Sequence, residues 1–244
     1  MLTAPMLKIP FILSAALAFH VASTSPNPTP SPKEMQRATS EQGWGKVVMR
    51  WVPLAYKVGF SAGFSMSFWM ACIYELVAIA TLQTSWSTVA DLLSPMPTCS
   101  NMTITSGFLT GWFFILAGGF SRYWCYRTLG RHFTFELTIR DGHQLVTSGP
   151  YTYVRHPSYT GMFFALAGTF LLHFSAGSWM TECGGAKTWF GHTCAGIWGV
   201  NAAFLSFLVI YRTGKEDEML RAQFGRKWDE WAERVSYRLV PYIY

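Results

Sequence analysis

The sequence predicts an all-helical integral membrane protein of about five transmembrane helices, with a long polar loop before the fourth and an amphipathic helix at the C-terminal end. Three observations predict it. Half of the 244 residues are hydrophobic, 17% are aromatic and only 13% are charged, with a mean hydropathy of +0.20, which is unlike ordinary soluble domains. The apolar residues gather in runs long enough to approach or cross a bilayer core. The basic residues, which give a net charge of +6, flank those runs, where membrane orientation explains them better than nucleic acid does.

The first run covers residues 5–22 and is short enough to read as a secretory signal peptide. A retained span is favoured, because Lys33, Arg37, Lys46, Arg50 and Lys57 follow it and cleavage would place them on the wrong side of the membrane. Pro26, Pro28, Pro30 and Pro32 disfavour helix and sheet, so the linker 24–43 is expected to be an extended spacer without chemistry. Residues 44–57 mix aromatic and basic side chains and suit the cytoplasmic interface. A second span is expected over 59–82, where Gly59, Ala62 and Gly63 invite close packing and Glu75 stands among apolar neighbours. An intramembrane carboxylate is functional or paired, and a structural role is the favoured reading of Glu75. The loop 83–101 has no Lys or Arg and so faces away from the cytoplasm; it leads into the sequon Asn101-Met102-Thr103. The third span, 104–123, again carries glycines, at 107, 111, 118 and 119.

Arg122, Arg127, Arg131, Arg140 and Arg155 make the polar insertion 122–156 cytoplasmic. Within it, residues 133–139 alternate, Asp141-Gly142 signals a turn and Leu145-Val146 resumes, which predicts a short hairpin. The fourth span, 157–174, opens on Pro157, whose missing N–H costs nothing in a first helical turn. A fifth, 191–211, delivers Arg212 to the cytoplasmic face, and Met219, Leu220, Phe224, Trp228, Trp231 and Val235 then predict one amphipathic helix over 215–237. The five cysteines have no metal-ligand spacing, and Cys99 and Cys183, both in non-cytoplasmic loops, leave one bridge open between them.

Chemistry is expected where the polar insertion meets the fourth span. Arg155 and His156 stand beside the free N–H groups of that helix start, a place suited to an anion. The alternative is that arginine and tyrosine there only anchor the helix at the headgroups. Arg212 and Glu216, one turn apart, share a helix face.

Val146-Thr147-Ser148-Gly149-Pro150-Tyr151, followed by Val154-Arg155-His156-Pro157-Ser158-Tyr159-Thr160-Gly161, resembles the signature of the isoprenylcysteine carboxyl methyltransferase family. A second block, Arg212, Glu216-Asp217, Leu220, Phe224-Gly225 and Trp228, resembles that family's segment after the last membrane helix. The resemblance covers about 129–240 and divides the chain into N-terminal membrane helices, 1–128, and a methyltransferase core, 129–244. It implies an enzyme of the endoplasmic reticulum membrane, C-terminus cytoplasmic, that uses S-adenosylmethionine to esterify the carboxylate of prenylated CaaX-type proteins beside membrane lipid, without metal or nucleic acid.

By the same resemblance the cofactor lies against Gly149, Pro150, Tyr151, Arg155, His156, Pro157, Tyr159, Glu216 and Asp217. Arg212 is then the clamp for the substrate carboxylate, and Glu216 orients it or faces the sulfonium. A carboxylate is already ionised at neutral pH, so the chemistry needs a clamp and alignment rather than a general base. The family commonly has two glutamates where this chain has Glu216-Asp217, which leaves the role of the shorter Asp217 open. The alternative is a phosphatidylethanolamine N-methyltransferase, whose amine must lose a proton and so needs a base. A membrane reductase, which requires a nicotinamide cofactor, and a scaffold that binds no cofactor are further readings.

Overall fold

Helices supply every regular element among the residues that the computed structural model describes, which are 4–31, 34, 63–82, 102–183 and 185–243. A 3-10 turn, Ala4–Lys8, leads into α1 (Ile9–Ser23), followed by α2 (Ser65–Thr81), α3 (Ser106–Leu129), α4 (Pro157–Phe174), a short α5 (Trp179–Glu182), α6 (Trp189–Phe224) and α7 (Arg226–Arg234). Their starts have local causes. The Thr105 side chain accepts from the Phe108 N–H at the head of α3 and the Thr188 side chain from the Gly191 N–H at the head of α6, while Pro157 opens α4.

Three segments are long and apolar enough to cross a membrane, Pro5–Ser23, Pro157–Glu182 and Gly191–Phe224, and they mark the chain as an integral membrane protein. About five were expected. The second expected span is present as the 17-residue apolar α2, which is shorter than the other three. The third is present as the 24-residue α3, but its glycines, hydroxyl residues and Arg122 keep it outside the apolar group.

What α3 lacks in apolarity it makes up in fit. A Cβ added at Gly118 would lie 2.4 Å from the Gly161 carbonyl oxygen of α4, and one at Gly111 would lie 2.5 Å from the Leu172 nitrogen. The two backbones thus touch, as helices must where there is little water to expel and contact itself is the attraction. Around this pair the core gathers Ile12, Ala15 and Phe19 of α1, Phe68 and Cys72 of α2, Phe108 and Ile115 of α3, and Leu205 and Val209 of α6. The first helix is therefore part of the packed bundle.

The structure departs from the sequence reading in three places. The amphipathic helix expected over 215–237 is not one element: α6 runs unbroken for 36 residues, about 54 Å at roughly 1.5 Å per residue, against a bilayer core of about 30 Å. Gly225, with φ +54°, breaks it, and α7 ends at Arg234, short of Pro241. The hairpin expected over 133–146 is absent among the described residues, although its turn forms, with the His143 N–H donating to the Arg140 carbonyl at 3.1 Å. The described part of the proline-rich linker, 24–31 and 34, is no free spacer, since Asn27 donates to the carbonyls of Gly130 and Phe133. Cys183 is disulfide-bonded and buried. The other cysteine of the expected bridge, Cys99, lies outside the described residues, as do residues 44–57 and the sequon residue Asn101.

Candidate active site

Gly149 has φ +62° and sits where a Cβ would come within 3.0 Å of the Thr128 hydroxyl, so the turn Gly149–Thr152 packs directly on the end of α3. From there the chain passes through Val154, Arg155 and the non-helical His156 into Pro157 and α4. The tail of the chain lies across this junction: the Arg155 N–H donates to the Tyr237 carbonyl at 2.9 Å and the His156 N–H to the Arg238 carbonyl at 2.8 Å. Both of these N–H groups are taken by the tail, directly beside the helix start expected to receive an anion.

Asp217 is the centre of a clamp. Buried on α6, it accepts from Arg155 Nη1 at 2.9 Å and lies 3.1 Å from Arg238 Nε and 3.0 Å from His156 Nε2. An ionised carboxylate only accepts, so His156 donates from Nε2 and its ring is fixed. Arg155 Nη2 also donates to the Ser236 carbonyl at 3.0 Å, which binds the tail to the same clamp.

Glu216, the neighbouring residue, points elsewhere. Its side chain is 29% exposed and accepts from the Tyr159 hydroxyl at 2.8 Å, while His156 Nδ1 stands 3.9 Å away, beyond hydrogen-bond range. Tyr159 stacks on His156 with ring centroids 5.7 Å apart and lies under the Arg212 guanidinium at 6.0 Å. Glu216, Arg212, Tyr159, His156, Arg155 and Tyr151 all line one cavity of about 1050 Å³, its open mouth included. Of the remaining expected site residues, Gly149, Pro150 and Pro157 shape the turn and the helix start, and Asp217 stands behind the wall as the clamp.

Among the lining residues that sequence reasoning did not single out for the site are Arg122, His132 and His143. Arg122, 1% exposed, donates from Nε to the Tyr126 hydroxyl at 2.9 Å and from Nη1 to the Ser158 carbonyl at 3.1 Å. It was read only as one of several orienting charges, although an arginine in an apolar helix is itself a signal. His132 and His143 face each other with ring centroids 4.7 Å apart, and Nδ1 of each is buried without a hydrogen-bond partner among the described residues. Burial pushes the His143 imidazole down to about 4, with nearby His132 adding to the fall and Glu216 opposing it. Burial, then Arg131 and Arg140, also hold His132 below the usual histidine range. Both rings are therefore neutral at pH 7, and each has a nitrogen available for a partner. Burial likewise pushes the Tyr151 hydroxyl well above its ordinary value and keeps it protonated.

Fold and site together define a helical membrane protein with a charged cavity built between a loop–helix junction and one long helix. Residues 110–183 match the profile of the Isoprenylcysteine carboxyl methyltransferase (ICMT) family, and the match includes the stretch 146–161 in which the resemblance was read. The block around Arg212 lies beyond the match. A Probable protein-S-isoprenylcysteine O-methyltransferase of Oryza sativa subsp. indica is 32% identical over 118 residues, 48% of this chain and 51% of the relative. Protein-S-isoprenylcysteine O-methyltransferase B of Arabidopsis thaliana is 30% identical over 124 residues, 48% and 50% of the two chains. A Delta(14)-sterol reductase of Mus musculus is 30% identical over 109 residues, 44% of this chain but 22% of the reductase. The chain thus spans about half the length of the methyltransferases it matches and about a fifth of the reductase.

Proposed function

We propose that the chain is an S-adenosylmethionine-dependent methyltransferase that esterifies the C-terminal carboxylate of a prenylated cysteine at the cytoplasmic face of the endoplasmic reticulum membrane. One observation carries the reading. Along α6, apolar Leu208 and Val209, then Arg212, then Glu216 line the cavity in that order. The series matches an amphiphile whose tail lies among apolar side chains and whose carboxylate ends at a guanidinium.

The residues present fit the cofactor. The neutral Nδ1 atoms of His132 and His143, without partners among the described residues and lining the same cavity as Leu129, Leu145, Val146 and Leu220, suit a purine, and the Glu216 carboxylate suits a sulfonium or an ammonium group. When bound, S-adenosylmethionine supplies an electrophilic methyl group. Arg212 holds the substrate carboxylate in a fixed orientation and needs no base to activate it. Tyr159 holds Glu216 in place, and Asp217 holds Arg155 and His156, so the charged groups are set before substrate arrives.

The reductase relative favours one second reading, reduction with a nicotinamide cofactor; the phospholipid N-methyltransferase reading gains nothing from the relatives found. Methyl transfer from radiolabelled S-adenosylmethionine decides. Purified chain in detergent is offered N-acetyl-S-farnesylcysteine and phosphatidylethanolamine. Base-labile label on the farnesylcysteine is the expected result, and label on the lipid amine would move the assignment. Label on neither, with binding of a nicotinamide dinucleotide, would sink the methyltransferase reading in favour of the reductase.

A further inference from the structure

One wall of the cavity is not helical. After a 3-10 turn that ends at His132, residues 133–138 run past it as irregular chain, and His132, Phe133, Phe135, Glu136 and Thr138 all line it. Over 133–147 the backbone-to-backbone hydrogen bonds found among the described residues include the Phe133 N–H to the Gly130 carbonyl at 3.3 Å and the turn bond of His143. Chain outside helices and sheets takes its place from partners elsewhere in the molecule.

Four such bonds come from about a hundred residues away in the chain. Asn27 Nδ2 donates to the Gly130 carbonyl at 2.8 Å and to the Phe133 carbonyl at 2.9 Å, at the start of the wall. Arg140 Nη2 donates to the Pro28 carbonyl at 2.6 Å and the Thr138 hydroxyl to the Glu34 carbonyl at 2.9 Å, at its far end. The strap is itself set: the Ser25 hydroxyl donates to the Asn27 carbonyl at 2.9 Å, and the prolines at 26, 28 and 30 fix its φ angles.

We propose that Asn27 is a positioning residue for the cavity, its carboxamide fixing the wall 132–138 and thereby the side chains that meet the ligand. Only an amide serves here. Both bonds run from its N–H groups to carbonyls, and an aspartate of the same shape would offer acceptors to acceptors. The kinetic part rests on the methyltransferase reading; the structural part does not.

The test is hydrogen–deuterium exchange and steady-state kinetics on the full chain in detergent, comparing wild type with Asn27→Ala, Asn27→Asp and Asn27→Gln. Exchange over 130–143 should rise about tenfold in Asn27→Ala and Asn27→Asp, with α3 and α4 unchanged. KM for S-adenosylmethionine should rise about tenfold with kcat within about twofold, and Asn27→Gln, which keeps the donors, should recover part of the loss. A purely structural role would lower the melting temperature and leave the KM of the folded fraction alone. Unchanged exchange, or raised exchange with unchanged KM, overturns the proposal. If wild type transfers no methyl group to either acceptor, the methyltransferase reading falls, and the exchange comparison alone still decides whether Asn27 holds the wall.

Discussion

The two ends of the bundle each contain buried charge, and they use it in opposite ways. At one end Lys8, 0% exposed, donates to Glu75 of α2 and to the Gly177 carbonyl at 2.8 Å. Glu75 also faces His173 Nδ1 of α4 at 3.7 Å, and His173 Nε2 lies 3.8 Å from Cys72 Sγ. Every charge there is spent on another, which is the paired, structural role favoured for Glu75. At the other end Asp217 is consumed in the same manner, but its neighbour Glu216 and Arg212 face a cavity. A buried charge thus marks a site only where space adjoins it. Adjacent residues on one helix can fall on either side of that line.

The sharpest way to break the contrast is at the closed end. Lys8→Ala leaves Glu75 buried beside a half-satisfied imidazole and should cost about 3–5 kcal/mol of stability by denaturant titration, with methyl transfer per folded molecule unchanged. Loss of activity at full stability would show that this end is not merely structural.

At the open end the pattern should invert. Arg212→Ala should lower kcat/KM for the farnesylcysteine by about a hundredfold or more while the melting temperature moves little. An equal loss of stability would place Arg212 with the structural charges. Asp217→Asn sits between the two cases: it weakens the hold on Arg155 and His156, so both stability and cofactor affinity should fall, the latter by about tenfold.

The smallest effect is one of pH. His143 has its pKa lowered to about 4 in the folded protein, so between the ordinary histidine value of about 6.5 and about 4 the unfolded chain binds a proton that the folded chain does not. Stability contributed by the neutral ring is full above that window and falls as pH drops through it. His143→Phe should flatten this slope in melting temperatures taken from pH 7 to pH 4.

Much of the fold was legible residue by residue. Pro157 fixed the start of α4, and its expected extent, 157–174, is the observed one. Arg212 and Glu216 were placed one turn apart on a helix face and do meet in one cavity. The missed boundary at Gly225 was readable in principle, since glycine is the residue that leaves a helix with positive φ, but the apolar pattern continued across it and outweighed it. Arg122, His132 and His143 were not legible as site residues. Nothing local to a sequence says that a turn and two helix ends will close around the same space.

By itself, then, the sequence determined the helical membrane class, the helix starting at Pro157 and the family resemblance in residues 146–161, because hydropathy, proline geometry and motif spacing are properties of neighbouring residues. Tertiary structure alone decided that alternating residues 133–139 form a cavity wall rather than a hairpin, that a proline-rich linker holds that wall, and that Asp217 clamps while Glu216 faces the cavity. Each of those outcomes depends on a hydrogen-bond partner from a distant part of the chain, such as Asn27 for Phe133 or Arg155 for Asp217, and local pattern carries no information about such partners.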